Sequence, residues 1–134
     1  LMEAILVVKR LQVKSNLKNY YVDLNVNFKK KLLSEFKRND FLIIDKFIFF
    51  KYKLDITLKK NKKNILLVTA QEKSKEYSNL SKVIEFLIKN GFKKNSKIIA
   101  VGGGITQDIA SFVSSIIFRG VEWIFFPTTL LAQA

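Results

Sequence analysis

Ile98-Ile99-Ala100-Val101-Gly102-Gly103-Gly104, continuing through Ile105-Thr106-Gln107 to Asp108, is the stretch on which the fold turns. Four apolar residues in a row, three of them β-branched, suit a strand buried on both faces, as in a parallel sheet. Three glycines at its end let the backbone take positive φ and come close to a ligand. Asp108 to Phe118 can form a helix, with Asp108 in its first turn. Such a helix aims unpaired N–H groups and the positive end of its dipole at an anion such as phosphate. The glycines do not make the GxGxxG fingerprint, and a tight strand-to-helix turn accounts for them equally simply.

Working outward, the same alternation recurs. Downstream, Val121 to Phe126 is an apolar strand stopped by Pro127. Upstream, Asn79 to Asn90 carries Val83, Ile84, Leu87 and Ile88 on one helical face, with Gly91 where a C-cap glycine belongs. Ile65 to Thr69 and Phe41 to Ile44 are further buried strands, the latter ending at Asp45. Phe47 to Leu58 has no decisive pattern. Strands alternating with helices predict an α/β, Rossmann-like parallel sheet with crossover helices. An antiparallel strand pair precedes it: Tyr20, Val22, Leu24, Val26 and Phe28 alternate with polar residues, and Glu3 to Val8 is the expected partner. Leu32, Leu33 and Phe36 suggest a short helix. The whole of residues 1–134 is expected to form one domain.

Composition excludes several classes. With 134 residues, 49% of them apolar, the chain can build a real core. It has no Cys and no His, which removes disulfides, thiolate metal sites, imidazole ligands and His-assisted nucleophiles. The net charge of +13 invites a nucleic-acid reading, but 21 of the 24 basic residues are Lys, and no run exceeds Lys29-Lys30-Lys31. Base readout favours the Arg fork, so a solvated basic surface is expected and no nucleic-acid partner. The longest uncharged stretch, Trp123 to Ala134, falls short of the roughly 18 residues a spanning helix needs. No membrane association is expected, and the cytoplasm is the expected location.

Several residues could carry chemistry. Glu72 and Lys75 follow the strand ending at Thr69; they suit ribose hydroxyls and a pyrophosphate, or a plain i,i+3 ion pair. Asp45 suits ribose recognition as a strand-end acid, or a turn. Pro127-Thr128-Thr129 offers hydroxyls where open α/β sheets bind ligands, or a stop signal with an N-cap. Arg119, in an apolar neighbourhood, calls for an anionic partner, either an internal carboxylate or a bound phosphate.

Gly102-Gly103-Gly104-x-x-x-Asp108, then Arg119-Gly120-Val121, then Pro127-Thr128-Thr129-Leu130-Leu131-Ala132-Gln133, resembles the signature of the 3-dehydroquinate synthase family. Glu72-x-x-Lys75, Val83-Ile84-Glu85-Phe86-Leu87, Asn90-Gly91-Phe92 and the Ile43-Ile44-Asp45 strand end fall at that family's spacing. The resemblance covers residues 40–134 well and residues 1–39 in outline. The chain departs from the pattern at Gln71, Gln107 and Ser111, where the family usually has glycine, and at Phe47, where it often has Asn.

The resemblance implies an NAD-binding amino-terminal domain in which Asp45, Glu72, Lys75, Gly103, Gly104, Asp108, Thr128 and Thr129 contact NAD, with Gly102 in the same turn. It implies that Arg119 contacts a phosphorylated substrate. The implied enzyme is an NAD- and metal-dependent carbon–oxygen lyase of the shikimate pathway for aromatic amino acids. It converts a seven-carbon keto-acid sugar phosphate to 3-dehydroquinate with loss of phosphate. Zinc or another divalent metal belongs, on the same resemblance, to the full-length enzyme only, whose ligands lie in a later helical domain. The chain therefore reads as cut before that domain, holds no catalytic or metal residue of its own, and is expected to be inactive alone. A homodimer is the expected assembly. The alternatives are a cyclase of the sedoheptulose 7-phosphate type, a polyol dehydrogenase relative and, in a different class, a basic nucleic-acid-binding module.

Overall fold

The computed structural model describes residues 9–16, 18–24 and 27–128. They fall into two compact units, Leu1–Glu35 and Phe36–Ala134. In the first unit, β1 (Lys9–Val13) pairs antiparallel with β2 (Tyr20–Leu24), and α1 (Phe28–Glu35) follows. The partner of β2 is thus Lys9–Val13; the Glu3 to Val8 segment expected in that role lies outside the described residues. The alternation expected to run to Phe28 stops at Leu24, because Asn27 starts a helix: its Oδ1 accepts from Lys30 N at 3.0 Å and its carbonyl from Lys31 N. Asp23 faces Arg10 across the strand pair, with two guanidinium bonds of 2.7 and 2.8 Å. That hydrogen bonding holds its carboxyl below the ordinary Asp range.

The second unit is a four-stranded parallel sheet. Its strands are β3 (Phe41–Asp45), β4 (Ile65–Val68), β5 (Ile98–Gly102) and β6 (Trp123–Pro127), in the order β4-β3-β5-β6. Between β3 and β4 lie α2 (Lys46–Lys51), α3 (Leu54–Thr57) and a 3-10 turn at Lys59–Asn64. Between β4 and β5 come a 3-10 turn at Glu72–Lys75 and α4 (Tyr77–Lys89); α5 (Gly104–Ile116) and a 3-10 turn at Ile117–Arg119 lead to β6. Chain order reverses direction at β3: the next two strands in sequence, β4 and β5, flank it on opposite sides. In open α/β sheets the ligand crevice forms at such a switch, beyond the carboxyl ends of the strands.

The apolar runs of the two central strands are buried, Phe41 to Ile44 in β3 and the whole of β5. Phe41, Ile43, Ile98 and Ala100 pack with Val83 and Leu87 of α4 and with Ile109, Ala110 and Val113 of α5. Leu42, Ile44, Ile99 and Val101 alternate to the other face and are equally buried. Each such fully buried aliphatic side chain contributes roughly 1.5–3 kcal/mol. The strand at Ile65 is only half-buried, because it ends the sheet order. On α4, Val83 and Leu87 face the core, but Ile88, expected beside them, is 50% exposed. The helix closes on Gly91 at φ +87, with Phe92 N donating to Leu87 O at 2.9 Å and Gly91 N to Ile88 O at 3.1 Å. These are the two bonds of a Schellman cap.

The amino edge of the sheet is pinned by two polar side chains, buried Asp40 and half-buried Asn64. Asp40 accepts from Lys97 N at 3.1 Å and Lys37 N at 3.0 Å. Asn64 Nδ2 donates to the carbonyls of Arg38 and Asp40. No helix among the described residues is long and apolar enough to cross a membrane.

Candidate functional site

The sheet's carboxyl edge gathers most of the residues singled out in the sequence. Ile44 is level with Val101 and Gly102 with Pro127 in the strand register, so Asp45 and the glycine turn are neighbours at one end of the sheet. Asp45 Oδ1 accepts from Phe47 N at 2.7 Å and thereby caps α2. One carboxylate oxygen closes the helix, and Oδ2 remains for a ligand. Thr128 N donates to Gly102 O at 2.8 Å, tying the end of β6 to the glycine turn. Thr129, singled out with it, lies outside the described residues.

The three glycines divide their work. Gly102 ends β5, Gly103 stands at the N-cap and Gly104 is the first residue of α5. The helix therefore starts four residues before the expected Asp108, which is its fifth residue and not in its first turn. Phe118, expected inside the helix, lies beyond it at φ +49. A Cβ on Gly102 would fall 2.8 Å from Thr106 Cβ and closer still to Thr106 Oγ1, so that glycine serves close packing. A Cβ on Gly104 would meet nothing within 4 Å; it would enter open space. No side chain caps α5, so its first N–H groups are left for another acceptor. Thr106 Oγ1, fully buried, has no hydrogen-bond partner among the described residues.

A charged cluster stands beside this helix start. Lys75 Nζ reaches Glu72 Oε2 at 2.9 Å and Asp108 Oδ2 at 3.1 Å, joining the turn after β4 to α5. These two hydrogen bonds, Glu72 first, raise the Lys75 pKa above its ordinary value. The pair is thus more than an exposed i,i+3 contact, because its third member lies 33 residues away. Lys75 meets any ligand already engaged by two carboxylates.

Arg119 is not brought to this edge. It follows α5 at the amino end of the sheet, at least the length of a strand, roughly 13 Å, from the glycine turn. Its side chain is exposed, and of the two anionic partners expected for it, no internal carboxylate among the described residues pairs with it.

Sequence reasoning named Asp45, and Gln71 and Phe47 as departures from the family pattern, but left Phe50 and Lys51 of the crevice wall unread. An open cleft of about 890 Å³ is lined by Asp45, Phe47, Phe50, Lys51, Thr69 and Gln71, among others. Phe47, Phe50 and Lys51 share one face of α2 by their i, i+3, i+4 spacing, while Phe49 points inward and is buried. That spacing was the available signal within the stretch that had no decisive pattern.

A parallel sheet with a switch point, an uncapped helix after a glycine turn and acids at the strand ends define a Rossmann-like domain. A family model described as 3-dehydroquinate synthase N-terminal matches residues 65–134. The chain belongs to that family. It is 33% identical over 129 residues to the 3-dehydroquinate synthase of Dictyoglomus thermophilum, covering 94% of this chain and 36% of the relative. To that of Clostridium tetani it is 38% identical over 119 residues, covering 84% and 32%. The chain thus spans about a third of the length of these curated relatives. Among solved structures, 2-deoxy-scyllo-inosose synthase complexed with carbaglucose-6-phosphate, NAD+ and Co2+ superposes with a TM-score of 0.73 at 24% identity, over 92% of this chain and 36% of that one. That likeness establishes the fold.

Proposed function

We propose that this chain is the NAD-binding part of an enzyme that converts a seven-carbon keto-acid sugar phosphate to 3-dehydroquinate with loss of phosphate. The observation that carries the reading is the carboxyl-edge crevice, where Asp45, the glycine turn into an uncapped α5 and the Glu72–Lys75–Asp108 cluster meet. Family membership supports it, and so does the NAD+ named with the inosose synthase. The residues fit a dinucleotide: the orphaned Thr106 hydroxyl lies beside the turn, and Gly104 opens onto free space.

NAD, when bound, supplies the oxidant for a transient oxidation of the substrate's hydroxyl. This chain's residues bind and orient. Asp45, with its free oxygen, accepts from ribose hydroxyls, and Glu72, largely exposed, is placed to do the same. The N–H groups opening α5 receive pyrophosphate oxygens, with help from the helix dipole. Lys75 holds Glu72 and Asp108 in position, and Thr128, tied to Gly102, closes the far side. Arg119 takes no part in this crevice; an anion it meets sits elsewhere.

A divalent metal does not fit the described residues. They contain no group of three carboxylate, His or Cys side chains able to hold one. Turnover of a sugar phosphate is therefore not expected of this chain alone.

Calorimetric titration of NAD tests the reading. Gly104→Val places a side chain in open space, so the fold survives and the helix start is blocked. Wild type should bind, and the variant should bind at least tenfold more weakly. Equal affinities, or no binding by wild type, would overturn the proposal.

A further inference from the structure

Lysines scattered through the sequence are gathered by the fold. A basic doublet followed by Asn occurs four times, at residues 37–39, 59–61, 62–64 and 93–95. All four copies lie in the segments that lead into β3, β4 and β5, so the parallel sheet carries them to one place, its amino edge. Leu42 is level with Ile65 and Phe41 with Ile98, and neighbouring strands run about 4.8 Å apart. The three segments therefore enter the sheet within roughly 10 Å of one another. Bonds between them fix that arrangement: Asn64 Nδ2 donates to Arg38 O at 3.0 Å, and Lys97 N to Asp40 Oδ1 at 3.1 Å.

The charge at this edge is uncompensated. All eight basic side chains of the four doublets are exposed, and none forms an ion pair among the described residues. The one carboxylate in these segments is Asp40, buried and committed to the N–H groups of Lys37 and Lys97. Lys75 at the opposite edge is, by contrast, already held by Glu72 and Asp108. Arg119 is not counted, since the family resemblance gives it to a substrate phosphate. Asn39 and Asn95 stand exposed among the cations, and amides of this kind hydrogen-bond phosphate and sugar oxygens. Residues 37–40, 59–64 and 93–97 include no apolar side chain, so they offer nothing to anchor in a bilayer. The excess of Lys over Arg argues against base readout, and leaves backbone phosphates as the ligand that point charges suit. A strip this narrow meets a few successive phosphates of one strand.

We propose that the amino edge of the sheet is a surface that binds single-stranded RNA through its phosphates, without reading its bases. It is separate from the nucleotide crevice and does not depend on the NAD reading.

Fluorescence anisotropy on the 134-residue chain tests this with labelled oligouridylate and oligoadenylate of about 12 nucleotides. Wild type should bind both alike, and log Kd should rise with log salt at a slope of roughly 3.5 to 5, as about five to seven neutralised phosphates imply. Lys60→Glu/Lys94→Glu should weaken binding at least tenfold at about 0.1 M salt and lower that slope by about 1 to 2. Lys73→Glu/Lys82→Glu removes the same charge away from this edge, and should leave affinity within about twofold of wild type. All four lysines are exposed, so both variants should fold, which circular dichroism checks. Excess NAD should leave the RNA bound, because the crevice lies at the other end of the strands. Equal losses in the two variants would reduce the effect to net charge and overturn the proposal. So would displacement of the RNA by NAD, a tenfold preference for one oligonucleotide, or no binding by wild type. Edge-dependent capture by phosphatidylcholine vesicles containing phosphatidylserine, without binding of RNA, would give the surface to a membrane instead.

Discussion

Asp40 and Asp45 stand at the two ends of one strand, and their carboxylates face different tasks. Asp40 is buried and spends both oxygens on backbone N–H groups of Lys37 and Lys97. Asp45 is half-buried and spends one oxygen on Phe47 N. Arg119 makes the contrast sharper. It sits exposed at φ +65, directly after Phe118 at φ +49, so its guanidinium carries no load for the core. Arg119→Met should change stability by less than about 0.5 kcal/mol in thermal melts. A loss of several kcal/mol would show that the guanidinium holds the fold. The meeting of Asp45 and the glycines at one sheet edge was legible because a strand end and a helix start are local patterns. Asp40 was not, since its partner at Lys97 lies 57 residues away. Nor was the orphaned Thr106 hydroxyl, whose isolation exists only once Gly102 packs against it.

At the scale of elements, the ends of segments were harder to read than their cores. The central strands at Phe41 and Ile98 followed their apolar runs. The start of α5 did not, because glycines are poor helix formers and only the strand's delivery of Gly103 and Gly104 overrides that preference. The end of β2 came early for a similar reason: Asn27 as a cap outweighed an alternation that continued through Phe28. The end of α4 was legible in Gly91, and it is testable. Gly91→Ala places a Cβ at φ +87 within a Schellman cap, with no neighbour in the way. The penalty is conformational alone, and should be about 1–2 kcal/mol in urea unfolding, with an unchanged m-value. A neutral result would mean that the cap rearranges.

For the molecule as a whole, chemistry and binding should come apart. With NAD, zinc and the seven-carbon substrate supplied, the purified chain should release no phosphate above background in a colorimetric assay, even where calorimetry detects NAD. The physical ground is the absence of His and Cys in the sequence and of a carboxylate cluster among the described residues. Metal-dependent turnover at an ordinary enzymatic rate would contradict it. The sheet also keeps its fastenings and its ligand groups at opposite ends: Asp40 and Asn64 at one, and the glycine turn with the charged cluster at the other. Lineages that inherit such a sheet can rewrite their specificity without loosening their scaffold. Asp45 is the exception, since it fastens α2 with one oxygen and offers the other to a ligand. Replacing Asp45 would therefore carry a folding penalty, unless the newcomer were itself a capping residue such as Asn or Ser.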